Sequence, residues 1–150
     1  LKGVVPEKML KGDYEGARKE ALLFSEIFQG RYYLEIQNHG IPEEEQNLKN
    51  MKKLSQDLNL PLVCTNDAHY AKKEHWEAHD IHICLGTGKE RSDPNRLRYA
   101  TPEFYFKTQD EMYKLFKEFP GAIENTRKMS GLADGICAKT GAGGAAVIRP

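Results

Sequence analysis

An aspartate and a histidine two residues apart, Asp67-x-His69, follow the short apolar run Pro61 to Thr65. If that run is a β-strand, both side chains leave its end on the same side. A carboxylate beside an imidazole suits zinc, manganese or iron. The same residues also fit a plain turn in which Asn66 or Asp67 caps the following segment. A second polar cluster, Gln37-Asn38-His39-Gly40, follows the aromatic and aliphatic run Arg31 to Ile36. His39 there either faces the same pocket as His69 or sits in water. Glu35 alternates with Leu34 and Ile36, so it either points into a barrel interior or pairs with a buried base.

Three further histidines, His75, His79 and His82, stand at i, i+4 and i+7, one face of a helix. The pattern is H-W-E-A-H and departs from the H-E-x-x-H metal box. A polar face with one packed histidine explains it more simply, and His79 is the member nearest the Asp67/His69 loop. Arg91, Arg96 and Arg98 cluster around Pro94. Such a loop can hold phosphates through charge-assisted bonds or make an interdomain ion pair. Cys64 and Cys84 lie in apolar surroundings and read as small core residues. No glycine-rich phosphate loop or nucleophile elbow is present.

These candidates need elements to position them. Residues 13–28 carry Ala17, Ala21, Phe24 and Phe28 at helical spacing, with Asp13 as N-cap and Gly30 as stop. Arg31 to Ile36 reads as a buried strand. Pro42 opens a helix with an acidic first turn and a face of Leu48, Met51, Leu54 and Leu58. Pro61 to Thr65 is a second strand. Strand, helix and strand within about 35 residues make a βαβ unit, hence a parallel sheet. Parallel sheets collect chemistry at the C-terminal ends of their strands, and both polar clusters fall there. Another helix is expected over 73–85, and Glu103 to Phe106 is expected as a short strand. Thr108 to Glu111 is a capping box before a helix with Met112, Leu115, Phe116 and Phe119 on one face. A last helix runs from Pro120 to about Met129. Residues 131–150 hold five glycines and five alanines without a period, and read as a low-complexity tail.

The 150 residues suffice for one domain. Lys plus Arg equals Asp plus Glu at 22 each, so any nucleic-acid partner would be held by a local basic patch. No run approaches the ~18 apolar residues of a membrane span. Three widely spaced cysteines, Cys64, Cys84 and Cys137, read as reduced thiols in a cytosolic protein. The chain opens at Leu1 without a secretory pattern, and the expectation is a piece of a longer protein.

A series of blocks carries a family resemblance: YLEIQNHGIPEEEQ, LPLVCTNDAHY, AHDIHICLGTGK, DPNRLRY, EFYFKTQDEMYKLF and AIENT. In this order they resemble the alpha subunits of bacterial DNA polymerase III, over about residues 1–128. The resemblance implies a PHP (polymerase and histidinol phosphatase) domain, a distorted α/β barrel with a cluster of His, Asp, Glu and Cys ligands. The fold class expected is therefore α/β, a partial PHP-type barrel built of βαβ units. The family's last ligand motif is a D-x-H at a strand end, carried here by Asp67 and His69. Its H-x-H motif and middle ligands fall upstream of Leu1. The opening LKGVVPEKMLKGDYEGA resembles the segment just after a cysteine of the family's site. His39 matches the Q-x-H-G block. Residues 1–90 would be the C-terminal part of the PHP domain, 91–130 the link toward the polymerase palm, and 131–150 a non-native tail.

The function so implied is that of a replicative, template-directed DNA polymerase. Its partners would be DNA, deoxynucleoside triphosphates and other replicase subunits, in the cytoplasm and without a membrane. The cofactors would be divalent metal ions: zinc, manganese or magnesium. The PHP site is linked to 3′–5′ exonuclease or other phosphoester hydrolysis. The palm carboxylates are not in this segment, which by itself is expected to be inactive. Two rivals are a stand-alone PHP phosphoesterase resembling histidinol phosphatase and a non-catalytic module that braces the polymerase.

Overall fold

Caps and turn residues place the elements. In this computed structural model, which describes the backbone of residues 1–140 and the side chains of residues 1–131, helix α1 spans Val4–Leu10. It is too short to show a period, and the sequence pattern gave no sign of it. Helix α2, Tyr14–Phe28, starts where the Asp13 side chain accepts from the Gly16 N–H and ends at Gln29 in the left-handed region. Strand β1 is Leu34–Ile36. Helix α3, Pro42–Leu58, has proline in its first turn and three glutamates beside its positive end. Strand β2 is Leu62–Cys64.

The two strands pair in parallel, Leu34 opposite Leu62 and Ile36 opposite Cys64. With α3 as the crossover they form the expected βαβ unit, and the chain is of the α/β class. Among the described residues the sheet has two strands. Leu34 and Ile36 are buried while Glu35 is exposed between them, as alternation requires. The core gathers Leu34, Ile36 and Cys64 with Met51 and Leu54 of α3, Val5 and Met9 of α1, and Ala17 and Ala21 of α2. Burying a large aliphatic side chain of this kind contributes about 1.5–3 kcal/mol. Ala17 and Ala21 are fully buried, and their small size lets α2 approach its neighbours closely.

A 3₁₀ turn, Lys73–His75, leads into α4, Trp76–Thr87. Helix α5, Gln109–Leu115, begins with the full Thr108/Glu111 capping box. Helix α6 spans Ala122–Thr140. It was expected to stop near Met129, but no proline stands between Pro120 and Pro150 to break it. The remainder of the expected low-complexity tail, residues 141–150, lies outside the described residues.

Two side chains of α6 finish the sheet. The Asn125 amide donates to Leu62 O at 2.8 Å and the Thr126 hydroxyl donates to Cys64 O at 2.7 Å. They satisfy strand carbonyls that β1 does not reach, a substitute for a third strand at that edge. The strand expected at Glu103 to Phe106 is not formed. One isolated parallel bridge, Tyr70 with Tyr105, stands in its place. The backbone of this stretch is instead engaged with the loop after β2.

Candidate metal centre

The loop after β2 carries the D-x-H pair, and residues 99–106 hold it in shape. Phe104 O accepts from the His69 N–H at 2.8 Å, and the Phe106 N–H donates to Tyr70 O at 3.0 Å. The Asn66 amide donates to Tyr105 O at 3.0 Å. A turn from Asn66 O to the Ala68 N–H, 2.9 Å, brings Asp67 and His69 to one side. Asp67 Oδ2 then lies 3.3 Å from His69 Nε2, with the two side chains 51% and 33% exposed.

That separation can be tested against a shared ion. Two donors each about 2.0–2.1 Å from zinc and at a tetrahedral angle stand about 3.3 Å apart. Asp67 and His69 therefore fit as two neighbouring members of a ligand shell. Two donors are half of what a four-coordinate ion needs. No group of three or more His, Cys, Asp or Glu positioned for one ion occurs among the described residues.

Aromatic rings wall this pair. The Tyr99 hydroxyl lies 3.2 Å from Nδ1 and 3.1 Å from Nε2 of His69. The His69 and His79 ring centres are 5.9 Å apart, and Tyr99 is 5.3 Å from His79. His79 Nδ1 is buried without a hydrogen-bond partner. Burial is the main reason that its imidazole lies below the ordinary histidine value, with nearby His69 and His82 adding to it. His75 and His82, on the same helical row, are exposed.

His39 takes a different place. Its ring is 1% exposed and stacks face to face on Phe104 at 4.2 Å. Glu44, in the first turn of α3, accepts from the His39 backbone N–H at 2.6 Å and meets Nδ1 at 2.9 Å. Burial pushes the Glu44 carboxyl up, but the bonds from His39 outweigh it and leave the carboxyl below its usual range. The Thr101 hydroxyl donates to His39 O at 2.6 Å. His39 and His69 thus share Phe104 as a neighbour, His69 meeting it edge-on at 5.9 Å. Glu35 accepts from the Thr65 hydroxyl at 2.5 Å, and Gln37 donates to the same hydroxyl at 2.9 Å.

The arginine loop is tied to α4. Arg96 donates to Asp80 Oδ1 and Oδ2 at 2.6 and 2.8 Å, with its side chain 6% exposed. Arg91 reaches Asp80 at 3.4 Å and Glu77 at 3.6 Å. Arg98 is exposed. The sequence reading missed Tyr99, Phe104 and Glu44. Glu44 left a trace, since an acidic residue in the first helical turn often reaches back to a backbone N–H. The two aromatics left none, because nothing in their spacing tells which loop they cover.

Comparison with known proteins places these residues in a family. The chain is 41% identical over 132 residues to a Borreliella burgdorferi protein named DNA polymerase III subunit alpha, covering 88% of this chain and 12% of that protein. It is 40% identical over 131 residues to the protein of that name from Treponema pallidum, covering 87% of the chain and 11% of the relative. With the one from Pseudomonas aeruginosa it shares 40% over 116 residues, 76% of the chain and 10% of the relative. The chain thus spans about a tenth of the length of these curated relatives. No family model matches it.

Proposed function

We propose, from the premise that this chain corresponds to a segment of the DNA polymerase III alpha-subunit family, that it serves a template-directed replicative DNA polymerase and contributes Asp67 and His69 to a divalent metal site. The site belongs to a PHP-type barrel, of which residues 1–90 are the C-terminal part and residues 91–130 the start of the link to the palm. The observation that carries the metal reading is the 3.3 Å approach of Asp67 Oδ2 to His69 Nε2, in the loop after β2.

Zinc, manganese or magnesium bound there would lower the pKa of a coordinated water and polarise a phosphoester. Asp67 supplies negative charge to hold the ion, and His69 a neutral nitrogen. Phe104 fixes the His69 backbone through its carbonyl. The buried Nδ1 edge of His79 and the Tyr99 ring would restrict water on the α4 side. DNA, deoxynucleoside triphosphates and other replicase subunits are the proposed partners of the whole protein, in the cytoplasm. No helix among the described residues is long and apolar enough to cross a membrane.

A second reading, a module that braces the polymerase without chemistry of its own, is favoured by one observation. Two donors converge where a working site needs more. Elemental analysis of the full-length protein separates the readings. Asp67→Ala and His69→Ala are expected to lower bound metal and to reduce phosphoester hydrolysis more than primer extension. Unchanged metal content in both variants would leave the pair as a turn.

A further inference from the structure

We infer that the open edge of β1 is a docking groove for an extended segment of the same polypeptide lying outside residues 1–150, and that Asn47 accepts a backbone N–H from it. That occupant rests on the reading of this chain as part of a longer alpha subunit and owes nothing to the metal pair.

The two edges of the sheet differ. Beyond β2, Asn125 and Thr126 of α6 serve Leu62 O and Cys64 O, so that edge is already taken. On β1 the groups turned toward β2 belong to Leu34 and Ile36. The Leu34 N–H donates to Pro61 O at 2.9 Å, and Ile36 O accepts from the Thr65 N–H at 3.1 Å. Neighbouring residues of such a strand present their N–H and C=O to opposite edges, so those of Glu35 face away from β2. No loop or turn reaches them among the described residues. Unpaired strand groups of this kind are a template for another strand.

A groove of about 390 Å³ borders β1, lined by Glu35 and by Val5, Phe24 and Met51 from α1, α2 and α3. Leu1, Val4 and Phe28 also line it, and they are 42%, 47% and 45% exposed. Asn47 of α3 lines it too, itself 7% exposed, with a buried Oδ1 that has no hydrogen-bond partner among the described residues. A buried carbonyl oxygen calls for a donor. An extended peptide brings what this groove lacks: backbone groups for Glu35, an N–H for Asn47 and apolar side chains at alternate positions for the helical walls. The chain spans about a tenth of its curated relatives, so most of such a polypeptide lies outside it. A tethered segment meets the groove at an effective concentration that a free partner does not reach.

The test is hydrogen exchange of the full-length protein, purified without other subunits and read at single amides. The Glu35 amide is expected to exchange as slowly as those of Leu34 and Ile36. Fast exchange at Glu35 beside slow exchange at Leu34 and Ile36 overturns the proposal. Slow exchange that is lost on dilution gives the groove to a second copy and overturns it as well. So does slow exchange that appears only when another replicase subunit is added. Asn47→Leu removes the unpartnered oxygen at similar volume. In a filled groove a bond is lost, and Glu35 is expected to exchange about 2- to 10-fold faster. In an empty groove an unpaired carbonyl is lost, and unchanged or slower exchange at Glu35 overturns the role of Asn47. Asn47→Ala, which cannot overfill the site, is read the same way should Asn47→Leu misfold. Intact mass tests the segment reading separately: a native product of only these 150 residues would remove that reading and the occupant together.

Discussion

Glu44 holds His39 by two separate bonds, one to the backbone N–H at 2.6 Å and one to the ring at 2.9 Å, with both residues buried. A carboxylate at the start of α3 thereby fixes the loop that leaves β1. Glu44→Ala strands a buried N–H and a buried ring nitrogen, and each unsatisfied group costs about 1–3 kcal/mol. Loss of about 3 kcal/mol of stability is expected by urea unfolding. A change below 0.5 kcal/mol, about the scatter of surface substitutions, would show the pair to be dispensable.

The same pair should respond to pH. The Glu44 carboxyl is held below its ordinary value in the fold. Its contribution is therefore fully present above the unfolded-state carboxylate pKa and disappears as pH falls through the folded-state value. Stability of the parent should fall on acidification more steeply than that of Glu44→Gln. Parallel pH profiles for the two would contradict this.

Glu111 offers a second acid-side test. A bond from the Tyr105 hydroxyl at 2.7 Å, with the Thr108 backbone and hydroxyl, holds its carboxyl down at about 2. Burial first, and then the same bond, pushes the Tyr105 phenol up to about 12. Because the carboxyl is depressed, the bonded arrangement is favoured above the usual glutamate range and is lost as pH falls toward 2. Carboxyl titration by NMR should show Glu111 rising toward an ordinary glutamate in Tyr105→Phe. An unmoved midpoint would mean that the capping box alone accounts for the depression.

At the sheet edge, Thr126→Val keeps the shape of the side chain and removes the donor to Cys64 O. The cost is expected near 1 kcal/mol, with faster amide exchange in β2. Equal exchange rates in parent and variant would show that water serves the carbonyl as well.

The 150 residues alone are expected neither to extend a primer nor to release nucleotides at a 3′ end. Two donors converge in this stretch and no larger ligand group is present among its described residues, so an ion would be held weakly and left unpositioned. Apolar side chains on α2 and α4, with Ile27 58% and Leu85 77% exposed, favour aggregation. Manganese- or zinc-dependent turnover that vanishes in Asp67→Ala would refute the expectation.

The sequence by itself determined the βαβ unit, because its determinants are local. Two apolar runs bracket a Pro-led acidic helix start, and the alternation Leu34-Glu35-Ile36 assigns faces without knowledge of the partner strand. It also placed Asp67 and His69 just after the second strand, but a turn from Asn66 to Ala68, not strand alternation, brings them to one side. The family blocks were legible because they are contiguous stretches of residues. Tertiary structure alone decided what surrounds the pair. Tyr99 and Phe104 reach His69 across 30 and 35 residues of chain, and no periodicity encodes an approach of that length. It likewise decided between two uses of Arg96. A guanidinium beside a proline in a loop is equally suited to phosphate and to carboxylate, and only the fold, by bringing Asp80 within 2.6 Å, selects the carboxylate. His39 shows the same division. Its place after β1 was set by sequence, while its burial against Phe104 and Glu44 required the helix and the returning loop to close over it.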